Sequence, residues 1–108
     1  MDESFAIKDR SFNWNREKNI ANIRKHGIPF KEAATVFLDE NATFIFDELH
    51  SDEDERYIVI GMSKKLKMLM VCHCYRNTGD GEIIRIISAR AATRQEKALY
   101  KEGGATHD

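Results

Sequence analysis

Between Arg56 and Arg90 the chain writes three apolar, strand-length segments, RYIVIGMS, KMLMVCHCYR and IIRIISAR, joined only by short breaks at Lys64–Lys65 and at NTGDGE. Parallel strands need a crossover of a dozen residues or more, so connections this short demand antiparallel hairpins. Gly79, Asp80 and Gly81 form the strongest turn signal in the chain. A further aromatic and β-branched segment, ATFIFDEL, precedes these three and reads as a strand. The expectation is a four-stranded antiparallel meander.

Helical period brackets the meander. Asn15 is placed to cap REKNIANIRKH, with Ile20, Ala21 and Ile23 on its apolar side, Arg24 and Lys25 in its last turn and Gly27 as its stop. Pro29 opens PFKEAATVFLD, whose Phe30, Ala33, Ala34 and Phe37 recur at helical spacing. Thr93 and Glu96 match a capping box ahead of TRQEKALYKE, which ends at Gly103–Gly104. The fold class expected is therefore α+β: two N-terminal helices, a four-stranded antiparallel sheet and a C-terminal helix. SFNWN alternates Phe12 and Trp14 and reads as a short strand or extended entry; residues 1–10 read as a leader and 103–108 as a tail.

A chain of 108 residues with 42% apolar and 32% charged residues is expected to form one domain, spanning 1–108. Its apolar runs are too short to cross a membrane, and MDESFAIKDRSF lacks the apolar core of a signal peptide, so the cytoplasm is the expected location. The net charge of −1 conceals an asymmetry: residues 27–55 carry −8 and residues 56–101 carry +7. Such halves either neutralise each other or give the molecule a basic face for a polyanion.

Cys72-His73-Cys74 invites a metal reading, but strand alternation sends His73 away from both cysteines and no second pair completes a zinc site, so no metal is expected. The carboxylates from Asp47 to Asp54 lack the spacing of a calcium loop and read as a solvated hairpin loop. Lys25 and His26 compensate a helix dipole, and His26 is suited to exchange protons near neutral pH. The arginines are harder to dismiss. A strand that ends RIISARAATR gains nothing from guanidinium groups unless they are paired or aimed at an anion. Arg90 stands beside Ser88 at the strand exit, ahead of the helix start at Thr93, and Arg76 ends the neighbouring strand. That grouping suits phosphate, with internal pairing to Glu55 or Asp39 as the alternative. Strict alternation sends Arg85 and Arg90 to opposite faces unless a bulge intervenes.

From Phe12 to Tyr100 the chain resembles the BrnT family of bacterial type II toxins, which are similar in fold to RelE-type ribonucleases. The resemblance rests on FNWNREKNIANIRKHGIPFKEAATVFLD, ERYIVIG and IRIISARAATRQEKALY. It implies a metal-independent endoribonuclease of the mRNA-interferase type that arrests growth, needs no cofactor and is held inactive by a cognate antitoxin similar to ribbon-helix-helix proteins. RNA and the ribosome are the other partners implied. Metal-free cleavage of RNA needs a base, an acid and cations for the phosphorane. The roles expected are Glu55 or His26 as base and proton shuttle, and Arg56 and Arg90 as charge stabilisers. Lys25, Arg76, Arg85 and Ser88 would hold substrate, and Trp14 would either stack a base or sit in the core. The alternative is a non-catalytic protein that docks an acidic protein or nucleic acid through the same basic face.

Overall fold

In the computed structural model, which describes residues 1–51 and 54–105, the alternation of Phe12 and Trp14 belongs to a strand inside the sheet. The elements run β1 (Asp2–Ile7), β2 (Arg10–Asn15), α1 (Arg16–His26), α2 (Phe30–Thr35), β3 (Thr43–Phe46), β4 (Tyr57–Met62), β5 (Met68–Thr78), β6 (Gly81–Ala91) and α3 (Arg94–Ala105). Single 3-10 turns lie at Val36–Leu38 and Glu48–His50. The sheet has six strands in the order β1-β2-β6-β5-β4-β3.

This corrects the expectation of a four-stranded antiparallel sheet. The meander β3-β4-β5-β6 is present and antiparallel. Two further strands extend it, and β2 runs parallel to β6, so the sheet is mixed. The residues read as leader form β1, hairpinned onto β2 with Phe5 opposite Phe12. Only Phe5 and Ile7 mark β1 as period two, too few to stand out from the sequence, yet both pack against the core. The parallel pairing was invisible because its partners are some seventy residues apart, joined through the whole domain. The second helix is also shorter than expected and tightens into its 3-10 turn, and α3 runs through both glycines to Ala105. Asp52, Glu53 and the tail beyond residue 105 lie outside the described residues.

Alternation sorts each strand onto two faces. One, the helix face, packs Phe12, Trp14, Val59, Leu69, Val71, Ile84 and Ile86 against Phe30, Ala33, Ala34 and Phe37. Gly61 lies close under this layer: a Cβ there would come within 2.7 Å of Val36 Cγ1. The opposite face is covered at one end, where Tyr100 of α3 packs on Ile60 and Met70. Its hydroxyl donates to Asp39 at 2.8 Å, a carboxylate that also accepts from the Met62 N–H. The rest of this second face carries the buried Cys72 and Cys74 and the part-exposed Arg85 and Ser88.

Helix α1 does not present the face its isoleucines suggest. Ile20 and Ile23 are each 40% exposed, and Asn22 is the buried residue. The Asn22 amide donates to the carbonyls of Ile28 (2.9 Å) and Ala89 (2.8 Å) and accepts from the Ala89 N–H (3.1 Å). Ala89 lies beyond the last β2 pairing, Asn13 with Arg85. The amide thus supplies the bonds that a neighbouring strand would otherwise make.

Candidate active site

A one-residue slip builds the site. Cys72 pairs with Ser88 but His73 pairs with Ile86, so Ile87 is an extra residue in β6. Such a bulge reverses alternation beyond it. Ile84, Ile86 and Ala89 turn into the core, each no more than 3% exposed, while Arg85, Ser88 and Arg90 share the second face, each part-exposed. Arg76, opposite Ile83 on β5, joins them.

Each of these arginines has a carboxylate partner. Arg85 donates to both oxygens of Asp2, at 3.0 and 3.2 Å, and to Asn13. Arg76 reaches Asp54 at 3.2 Å. Arg90 grips Glu96 with two donors, at 2.8 and 3.0 Å, so its internal partner is neither Glu55 nor Asp39. Glu96 also accepts from the Thr93 N–H at 2.8 Å and donates its own N–H to Thr93 Oγ1, completing the expected capping box. The Arg90 fork holds the Glu96 carboxyl below the usual range, and Glu96 in turn raises the arginine.

A cleft of about 340 Å³ opens between the end of β6 and the segment before β4. Asp47, His50, Arg56, Ser88 and Arg90 line it over a floor of Ile58, Met70 and Cys72. Burial pushes the Cys72 thiol up, which keeps it protonated. Hydrogen bonds draw Asp47, Ser51 and Arg56 together in a closure: the Asp47 N–H donates to the Arg56 carbonyl (2.9 Å), and the Arg56 N–H to Ser51 Oγ (2.9 Å). This closure sets His50 and Arg56 on the same cleft.

The structure therefore brings Arg56, Ser88 and Arg90 together and aligns Arg76 and Arg85 on the same face. It separates the others. Glu55 accepts from the Tyr57 hydroxyl at 3.2 Å in a different pocket, of about 320 Å³, with Tyr75 and Asn77. Lys25 and His26 are exposed at the end of α1. Trp14 is 1% exposed, its ring beside Phe5 and Phe30 and its Nε1–H donated to Glu3 at 2.8 Å, so it belongs to the core. The residues missed from sequence are His50 and Asp47. Their signal was the i, i+3 spacing, which a 3-10 turn stacks on one side; it was hidden because the segment read as a strand end and a solvated loop.

His73 lies on the helix face, fully buried among Phe37, Phe44 and Tyr57. Its Nδ1 meets the Val71 carbonyl at 3.2 Å and its Nε2 the Tyr75 hydroxyl at 3.1 Å. Burial lowers its pKa from 6.5 to about 4. The unfolded chain therefore binds this proton first, and stability is lost as pH falls from 6.5 toward 4. Between neutral pH and pH 5 the loss is about 2 kcal/mol. Urea midpoints measured across that range are expected to fall for the wild type and to flatten in His73→Phe; equal slopes would refute it.

Among the described residues no helix is long and apolar enough to cross a membrane. The family described as the ribonuclease toxin, BrnT, of type II toxin–antitoxin systems matches residues 14–96. A 1.1 Å crystal structure of the Brucella abortus ribonuclease toxin BrnT is similar, with 25% sequence identity and a TM-score of 0.52 over 75% of this chain and 94% of that one. No match was found among curated proteins. With a family match over most of its length and a BrnT structure of the same fold, the chain belongs to the BrnT family of type II ribonuclease toxins.

Proposed function

We propose that this toxin cuts RNA at the arginine cleft by metal-independent transesterification, as an mRNA interferase, and so arrests growth in the cytoplasm until its antitoxin covers the cleft. The observation that carries the reading is the convergence of Arg56, Ser88 and Arg90 on one cleft, produced by the Ile87 bulge. A phosphorane gathers negative charge on its equatorial oxygens, and the guanidinium groups of Arg56 and Arg90 offset that charge without needing a cofactor. Arg76 and Arg85 extend the basic line toward the β5–β6 turn and would hold flanking phosphates. The antitoxin, of the ribbon-helix-helix type, would lay an acidic segment over Arg56, Arg76 and Arg90, pairing charges that the free toxin leaves partly exposed.

The test is cleavage in EDTA. Purified toxin incubated with RNA, free and on ribosomes, is expected to yield 2′,3′-cyclic phosphate and 5′-hydroxyl ends. RNA left intact in both settings, or cleavage that stops on chelation, would overturn the reading.

A further inference from the structure

We infer that His50, oriented by Asp47, is the proton-transfer residue of the arginine cleft; this rests on the cleft being the place where RNA is cut. His50 Nδ1 lies 2.9 Å from Asp47 Oδ2. The Asp47 side chain is only 10% exposed and that of His50 65%. A carboxylate fixed behind an exposed imidazole selects the tautomer with hydrogen on Nδ1, leaving the Nε2 lone pair for substrate. Asp47 is itself fixed, through its N–H bond to the Arg56 carbonyl.

Sequence had offered Glu55 and His26 for this work, but neither lines the cleft that holds Arg56 and Arg90. His50 does. The charged and titratable groups facing it are Asp47 from its own turn, Arg56 from the head of β4, Cys72 from β5, and Arg90 from β6 with Glu96 behind it. Such a site supports general base catalysis on a ribose hydroxyl. The 2′-oxygen bonds to phosphorus as its proton passes to Nε2. The bond from phosphorus to the 5′-oxygen breaks, and the imidazolium returns the proton to that oxygen through solvent at the open mouth of the cleft. The products are a 2′,3′-cyclic phosphate and a 5′-hydroxyl, with His50 neutral again. Asp47 acts through His50 and is a positioning residue.

The experiment compares wild type, His50→Ala and Asp47→Asn for RNA cleavage against pH, with and without added imidazole, and for thermal melting. His50→Ala is expected to lose about 10²–10⁴-fold in kcat/KM, to lose the acidic limb of the pH profile, to regain part of its rate with imidazole, and to melt as the wild type does. Asp47→Asn is expected to keep the limb but displace it, with a smaller loss of rate. His50→Ala that cleaves at the wild-type rate would overturn the assignment. So would a variant with a large loss of rate that is deaf to imidazole and keeps the wild-type pH profile in its residual activity. Failure of the cleft reading is seen separately, in wild-type toxin that leaves RNA intact.

Discussion

Arg90→Ala is expected to reduce RNA cleavage by about 10²–10³-fold, the usual effect of removing one fixed donor from a charge-stabilising site. It is expected to lower stability by only about 1 kcal/mol. The two effects separate because Arg90 has two neighbours of different kinds. Toward the scaffold it holds Glu96, whose side chain is 19% exposed. Glu96 keeps the Thr93 N–H as a partner when the arginine is gone, so no orphaned buried charge is created. Toward the cleft it lines the wall with a side chain 35% exposed, its Nη1 also donating to the Ala91 carbonyl at 3.2 Å. Glu96→Gln is the matching control: glutamine keeps the capping box but removes the ion pair. That variant should lose a similar amount of stability and retain cleavage within about tenfold. Arg90→Lys should recover only part of the rate, because an ammonium keeps the charge and loses the planar fork. Cleavage assays and urea melts on the three variants decide the matter. Equal loss of cleavage in Arg90→Ala and Glu96→Gln would assign Arg90 to the scaffold.

What sequence could supply was local. The hairpins at Lys64–Lys65 and Gly79–Gly81, the Asn15 cap and the Thr93–Glu96 capping box all stand as read, because each depends on residues within a few positions of one another. The mixed sheet depends on β2 meeting β6 across the whole domain, and no periodicity in SFNWN names that partner. The same distinction divides the candidate site. Ser88 and Arg90 were singled out from their position at a strand exit and Arg56 through the family resemblance, and the three do share a cleft. That Arg85 and Arg90 lie on one face follows from a single extra residue, Ile87, which a two-residue period cannot locate. Trp14 could be either platform or core from sequence; its depth is decided by Phe5 and Phe30, which come from β1 and α2. His50 needed a 3-10 turn to bring it onto Asp47, and a run of acids around it reads as solvent-facing whatever it does.

The other large expected effect is on stability and comes from Asn22. Asparagine is a mediocre helix former, and within IANIRKH its burial is explained only by what its amide bonds. Asn22→Ala would leave the Ala89 N–H, the Ala89 carbonyl and the Ile28 carbonyl without their partner at a position 7% exposed. Each unsatisfied buried group costs about 1–3 kcal/mol, and water entering the vacated space recovers part of it, so a net loss of about 3–4 kcal/mol is expected. Asn22→Asp tests the mechanism more sharply. Near neutral pH the carboxylate could still accept from the Ala89 N–H but would face two carbonyls it cannot bond. The variant should be at least as unstable as Asn22→Ala at pH 7. It should regain stability as pH falls, because folding raises the pKa of a carboxyl that must donate, and the protonated form can give its O–H to one carbonyl. Ala89 lies between Ser88 and Arg90, so the amide also fixes the strand on which the cleft is built. Cleavage should therefore fall in both variants even at temperatures where they remain folded. Urea unfolding at pH 7 and pH 5 measures all of this. An Asn22→Ala protein within 1 kcal/mol of the wild type, or an Asn22→Asp protein that loses further stability relative to Asn22→Ala on acidification, would show that the amide does not clamp β6.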